Sequence, residues 1–344
     1  MQKIYSLQYL RAFAAIWVLL THVLQLCDVR PNDVFWAGQW GVDIFFLLSG
    51  FIIYLTTKEE SSWIDFGIKR IFRIYPAYLL ILTFYLLYKT SFSLNMNELI
   101  GGGGNLKNLI CNILMLPISG PITTKSLIVG QAWSTVFELY FYFLFAILLL
   151  VKKPKRYIVF LIVICSFVGD GYRFAGFPFD GALGFLSSVM GSSHNLFFVE
   201  GVLLAICYKN SWLKICNKIL YCMLFVAMIS IYIWCMTHTY NQVYSILLSP
   251  FVFVGVLLLN DFVKKESWWN KVLSFLGDIS FSIYLVHCLI IGIIMDNMGI
   301  GNLYAVIVLS LLLTLMTSAV IYLLVEKRFI NLAKQLVNRR KAIS

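Results

Sequence analysis

Two residues inside one apolar run carry the first chemical signal in this chain: Arg11 and His22, within LQYLRAFAAIWVLLTHVLQL at 7–26. A charged or titratable side chain at bilayer depth is costly, so one that persists there usually faces a protein interior and serves a function. The spacing from Arg11 to His22 is almost three whole helical turns, which puts both side chains on one face, roughly 16 Å apart along the axis. One helix then presents a fixed cation near one membrane surface and an imidazole nearer the other. A guanidinium grips phosphate in a rigid fork, and an imidazole exchanges protons near neutral pH.

Further candidates lie along the chain. Lys69, Arg70 and Arg73 form a basic cluster, the latter two in RIFRIYP one turn apart before Pro76. They serve either as an anchor on lipid phosphates or, converging in depth with Arg11, as a phosphate-binding mouth. Glu138, in AWSTVFELYFYFLF, falls at about the depth of His22 and would hold its imidazole as a general base is held. Its other reading is a packing residue bonded to Trp133, Tyr142 or backbone. His287, ending GDISFSIYLVH, either supports the site or joins the chemistry, with Ser280 and Tyr284 on a nearby face. Glu200 is a further intramembrane carboxylate with no evident role. Asp43 and Ser49-Gly50 share the second apolar run, where Ser49-Gly50 permits a close helix approach.

Other signals are weaker. Gly101–Gly104 lacks the Gly-Lys-Ser/Thr of a phosphate loop, and His22 with Asp28 is one residue too wide for an HxxxxD motif. His194 and His238 read as solvated. No His, Cys or carboxylate pair has metal-ligand spacing, so no metal is expected. The eight cysteines read as free thiols used as small hydrophobes.

The elements that must position these residues are membrane helices. The chain has 344 residues, 60% hydrophobic and 12% charged, with mean hydropathy +0.85; soluble domains are nearer half apolar and a quarter charged. Apolar segments at 7–26, 41–57, 74–90, 132–151, 157–169, 195–208, 219–237, 243–260, 275–295 and 303–325 predict an all-α polytopic protein of about ten spans. Segment 106–118 is too short and reads as re-entrant or interfacial. With both termini in the cytoplasm, only Arg30, Lys89, Lys107, Lys125 and Arg173 of the 27 Lys and Arg fall outside, apart from the intramembrane Arg11. That asymmetry satisfies the positive-inside rule, and it makes the net charge of +11 a topology signal rather than a nucleic-acid one. The first run carries a charge and no small-residue cleavage site, so it is expected to be retained. No linker or repeat divides residues 1–344, which read as one membrane domain.

At this point the residues resemble the integral-membrane acyltransferase-3 family. The resemblance rests on the Arg-x10-His of the first run, then GVDIFFLLSGFII at 41–53, RIFRIYP at 70–76, AWSTVFELYFYFLF at 132–145, GDISFSIYLVH at 277–287 and YLLVEKRF at 322–329. These blocks come in the family's order across nearly the whole chain. The chain departs from the pattern at Arg328, which stands where the family's last motif has proline, and it looks like the stand-alone form. The resemblance implies transfer of an acyl group, commonly acetyl, from cytoplasmic acyl-coenzyme A to a hydroxyl of a surface glycan or its lipid-linked precursor. It implies a bacterial inner (cytoplasmic) membrane and no bound cofactor, acetyl-CoA being the donor substrate. Arg11, Arg70 and Arg73 would then hold the coenzyme phosphates. His22 would act as base with Glu138 orienting it, and His287, Trp133 and Ser49 would support them. No Ser or Cys nucleophile is evident beside the base. Two other classes compete. A proton-coupled transporter of a small anionic solute would use the same buried Arg, His and Glu, but predicts inverted repeats. A non-enzymatic scaffold would leave those residues without work.

Overall fold

A computed structural model describes residues 3–27, 38–57, 62–91, 106–116, 127–150, 164, 188–213, 226, 229–230, 241–298 and 302–343. The segments expected at 157–169 and 219–237 lie almost wholly outside these residues, as do Asp28, Gly101–Gly104 and His238. The described residues are predominantly helical, with no strand among them. Among the described residues, seven helices are long and apolar enough to cross a membrane.

The chain forms two compact units, Met1–Lys58 with Leu196–Ala319, and Glu59–Asn195 with Val320–Ser344. In the first unit, α1 (Tyr5–Leu26) packs against α2 (Gly38–Thr56). It also packs on α8 (Trp268–Asp278) and α9 (Ser280–Met298), whose numbers count α3–α7 below. The start of α1 has no cap from its own neighbours. The Asn260 side chain accepts from the Tyr5 amide at 2.8 Å instead, satisfying one of the orphan donors of a first turn. Lys3 pairs with Asp278 at 2.8 Å, and the Tyr9 hydroxyl donates to Asn270 at 2.7 Å. A Cβ on Gly277 would sit 2.3 Å from the Gln8 carbonyl, so α8 touches α1 backbone to backbone. The segment expected as one span at 275–295 is therefore two helices, broken at Ile279. Its first part is an amphipathic helix laid along α1.

The same unit holds α6 (His194–Lys209, from Leu196 onward) and α7 (Gln242–Leu258). Gly50 and Gly201 make the α2–α6 crossing: added Cβ atoms would meet the Phe198 and Leu47 carbonyl oxygens at 2.2 and 2.1 Å. Small residues permit such contact inside membranes, where apolar burial alone does not join helices. α10 (Leu303–Ile321) turns Ser310, Thr314 and Ser318 inward and Leu312 and Met316 outward, as a helix between protein and lipid does.

In the second unit, α3 (Trp63–Ser91) begins well before the expected start at 74. Its 29 residues span roughly 44 Å, more than the hydrocarbon thickness. Arg70 and Arg73 are thus helical residues preceding Pro76 within one continuous rod. α4 (Leu106–Ile113) is one short helix of 8 residues, too short to cross. Tyr78 and Tyr75 hydroxyls tether its end through the Asn112 and Leu114 carbonyls. A 3-10 turn, Gly130–Ala132, leads into α5 (Trp133–Leu148). A π turn, Tyr322–Glu326, leads into α11 (Lys327–Ile343), which lies on α3 with Arg340 3.7 Å from Asp65. With Arg328 where the family pattern has proline, the helix continues.

Candidate active site

In the first unit the site is assembled from α1 and α9. His22 is half-buried, and its Nδ1 lies 2.9 Å from the Val18 carbonyl one turn earlier. A carbonyl only accepts, so Nδ1 carries the proton and Nε2 keeps its lone pair. His287 is fully buried and repeats the arrangement, with Nδ1 3.2 Å from the Ile283 carbonyl. The two rings meet edge to face, centroids 4.9 Å apart. Tyr284 flanks His287 at 5.9 Å.

Sequence reasoning placed no Cys beside a base, yet Cys288 Sγ lies 3.2 Å from His287 Nε2. With the His287 proton on Nδ1, the thiol is the donor of that bond. Adjacency in the chain was the available signal, since neighbours on a helix rarely face each other. Arg11 lies on the His22 side of α1 and is half-buried. The opposite side of α1 lines an apolar cavity of about 350 Å³ with Leu10, Phe13, Trp17 and Trp40. Ser49 is half-buried beside the Gly50 crossing.

A second polar group in this unit was not anticipated. Asp43 is fully buried and accepts from the Ser245 hydroxyl at 2.6 Å, with Ser249 3.3 Å further on. Glu200 interacts electrostatically with Asp43, and its Oε2 is buried without a hydrogen bond. The i, i+4 serines of VYSILLSP were the trace of this in the sequence.

In the second unit, Arg70 is the centre. Its guanidinium carbon lies 5.0 Å from the Phe66 ring and 5.1 Å from the Tyr142 ring. Tyr142, Glu138 and Arg73 all act on its charge. Glu138 accepts from the Tyr142 hydroxyl, one of the packing partners open to it in the sequence. Arg70 and Tyr142 line a largely apolar cavity of about 560 Å³ between α3, α4 and α5. Trp133 packs on His194 at 5.5 Å, and Phe137 does so at 5.7 Å. The solvated reading of His194 is thereby corrected, because aromatic rings half-bury it.

These two constellations can do different things: one offers unprotonated nitrogen at depth, the other a fixed cation under an aromatic cover. Comparison with known proteins bears on the chain as a whole. A family model described as an acyltransferase domain covers residues 4–326. The chain is 25% identical over 315 residues to acyltransferase MdmB of Streptomyces mycarofaciens, covering 83% of this chain and 78% of that protein. It is 23% identical over 325 residues to ORF330 of Acidianus two-tailed virus, provisionally named an acetyltransferase, covering 89% and 90%. No solved structure matches the chain. With the model running from the first turn of α1 to the π turn before α11, the chain belongs to the integral-membrane acyltransferase-3 family.

Proposed function

We propose that the protein moves an acyl group, acetyl in the first instance, from cytoplasmic acyl-CoA to a hydroxyl of a surface glycan or its lipid-linked precursor. The observation that carries the reading is the 2.9 Å approach of His22 Nδ1 to the Val18 carbonyl, which assigns the proton to Nδ1 and leaves Nε2 as the acceptor inside a membrane helix of an acyltransferase. In the reaction, Nε2 takes the proton of the acceptor hydroxyl as that oxygen attacks the thioester carbonyl. The tetrahedral intermediate collapses, coenzyme A leaves as thiolate, and the proton returns to the sulfur. Arg11, Arg70 and Arg73 hold the coenzyme phosphates. Arg70 is suited to this by a fork fixed over two rings. The Val18 carbonyl fixes one side of the His22 ring, and Glu138, which accepts from the Tyr142 hydroxyl, is the catalytic carboxylate of the reading. His287, Trp133 and Ser49 are positioning residues. Ten spans with both termini in the cytoplasm of a bacterial inner membrane complete the reading.

The test compares membranes carrying wild type or His22→Ala at equal protein levels. Surface polysaccharide should gain base-labile O-acetyl groups with wild type only, and labelled acetyl-CoA should release coenzyme A only when acceptor is present. Equal acylation by the variant removes His22 as base, and no acylation by either protein with any acyl donor sinks the proposal.

A further inference from the structure

We infer that His22, His287 and Cys288 form a binding site for a soft d10 metal cation, Zn2+ or Cu+, and that an ion seated there silences the base. The second half rests on the acyl-transfer reading above; the binding site itself does not. One ligand atom from each of the three residues lies within 4.8 Å of the others. Metal–nitrogen bonds of 2.0–2.1 Å and metal–sulfur bonds near 2.3 Å put tetrahedral ligand atoms roughly 3.3–3.6 Å apart. The Cys288 Sγ to His287 Nε2 separation is already 3.2 Å, and the remaining closure is about one ångström of side-chain rotation.

The ring tautomers point the same way. A metal-ligating histidine characteristically donates its other N–H to a carbonyl or carboxylate, which fixes the ring and raises the basicity of the bound nitrogen. Both histidines do this through Val18 and Ile283, so both Nε2 lone pairs are presented without a proton. The Cys288 thiol supplies one proton to this pair of acceptors, and a cation would satisfy all three groups together. Thiolate and imidazole select Zn2+ and Cu+ over the hard cations that require oxygen ligands.

Binding is balanced simply. The thiol proton is released, the sulfur and the two nitrogens each donate a pair, and a fourth position stays open. Cu+ leaves the site neutral and Zn2+ leaves it with one positive charge, which favours Cu+ in a low-dielectric interior. Either ion takes the His22 lone pair that the acceptor hydroxyl would use.

The experiment uses the full chain in detergent, stripped with chelator and titrated with Zn2+ or, under reducing conditions, with Cu+ against a competing chelator. One ion per chain is expected, weakened at least tenfold by Cys288→Ser and by His287→Gln. Co2+ should give a thiolate charge-transfer band in wild type that Cys288→Ser lacks. Zn2+ or Cu+ should inhibit transfer, and the fold inhibition relative to each protein's own ion-free rate should shrink in Cys288→Ser. Substoichiometric binding, equal affinity in the variants, or no thiolate band overturns the site. If a Cys288-dependent ion binds while transfer continues undiminished, the site stands and the inferred silencing, with His22 as base, falls.

Discussion

The two polar constellations reach stability inside the membrane by opposite means. In the first unit, two imidazoles meet with no carboxylate among the described residues hydrogen-bonded to either ring, and each is satisfied by a carbonyl of its own helix one turn back. In the second unit a guanidinium, which stays protonated in proteins, lies under two aromatic faces, one of them a tyrosine whose hydroxyl is bonded to a carboxylate. The first arrangement stores neutral acceptors of protons, and the second stores a permanent positive charge. Proton transfer needs a lone pair, whereas binding a phosphate needs a cation that cannot lose its proton. A membrane enzyme using an anionic donor needs both.

The contrast can be broken most severely at His22. Replacement by Ala should lower the rate of acyl transfer about 10²–10⁴-fold, the usual contribution of a general base, while donor affinity stays within a few-fold. A large loss of donor affinity instead would mean that the imidazole binds rather than reacts. Next comes Arg70. Hydrogen bonds to charged groups are worth roughly 1.5–3 kcal/mol, so Arg70→Gln should raise the KM for acyl-CoA by roughly 10–150-fold with kcat largely kept. Arg70→Lys should recover only part of this, because an ammonium retains charge without the fork. An unchanged KM in both variants would remove Arg70 from donor binding.

Smaller effects separate positioning from chemistry. Gly201→Ala forces a methyl group against the Leu47 carbonyl and should cost roughly 1–3 kcal/mol, read as a lowered thermal midpoint in detergent. Tyr142→Phe deletes the bond to Glu138 and should raise the donor KM several-fold, consistent with about 1 kcal/mol for one hydrogen bond; Glu138→Gln with the same profile would tie that carboxylate to Arg70, and one with a kcat loss matching His22→Ala would tie it to the base. Smallest of all, Lys3→Ala removes a half-exposed ion pair with Asp278 and should shift stability by less than about 1 kcal/mol.

Much of this was legible in the chain. Hydropathy located the helices, since seven of the expected segments coincide with helices able to span. The Arg11–His22 face followed from helical period alone. Gly50 was legible as a point of close approach, and α6 supplies Gly201 there. The meeting of His22 with His287 was not legible, because no local pattern encodes a contact between the first helix and the ninth. The break at Ile279 had a trace in the sequence, since Gly277, Asp278 and Ser280 interrupt the apolar run there, but the α8 contact with α1 that accompanies it was not legible. Similarly, α3 starts early because helix length follows packing against α11 as well as apolarity.

The interleaving of the two units sets an order on biogenesis. Residues 1–58 are made before residues 59–195, yet the rest of their unit begins at Leu196. At about 5–20 residues per second, the second unit's intervening stretch takes roughly ten seconds or more to make. Throughout that interval Arg11, His22 and Asp43 sit in the bilayer without α6, α7 or α9. The Ser245 hydroxyl and the His287 ring reach them only afterwards. Completion of the first unit therefore depends on synthesis of the second unit's stretch between its own two parts.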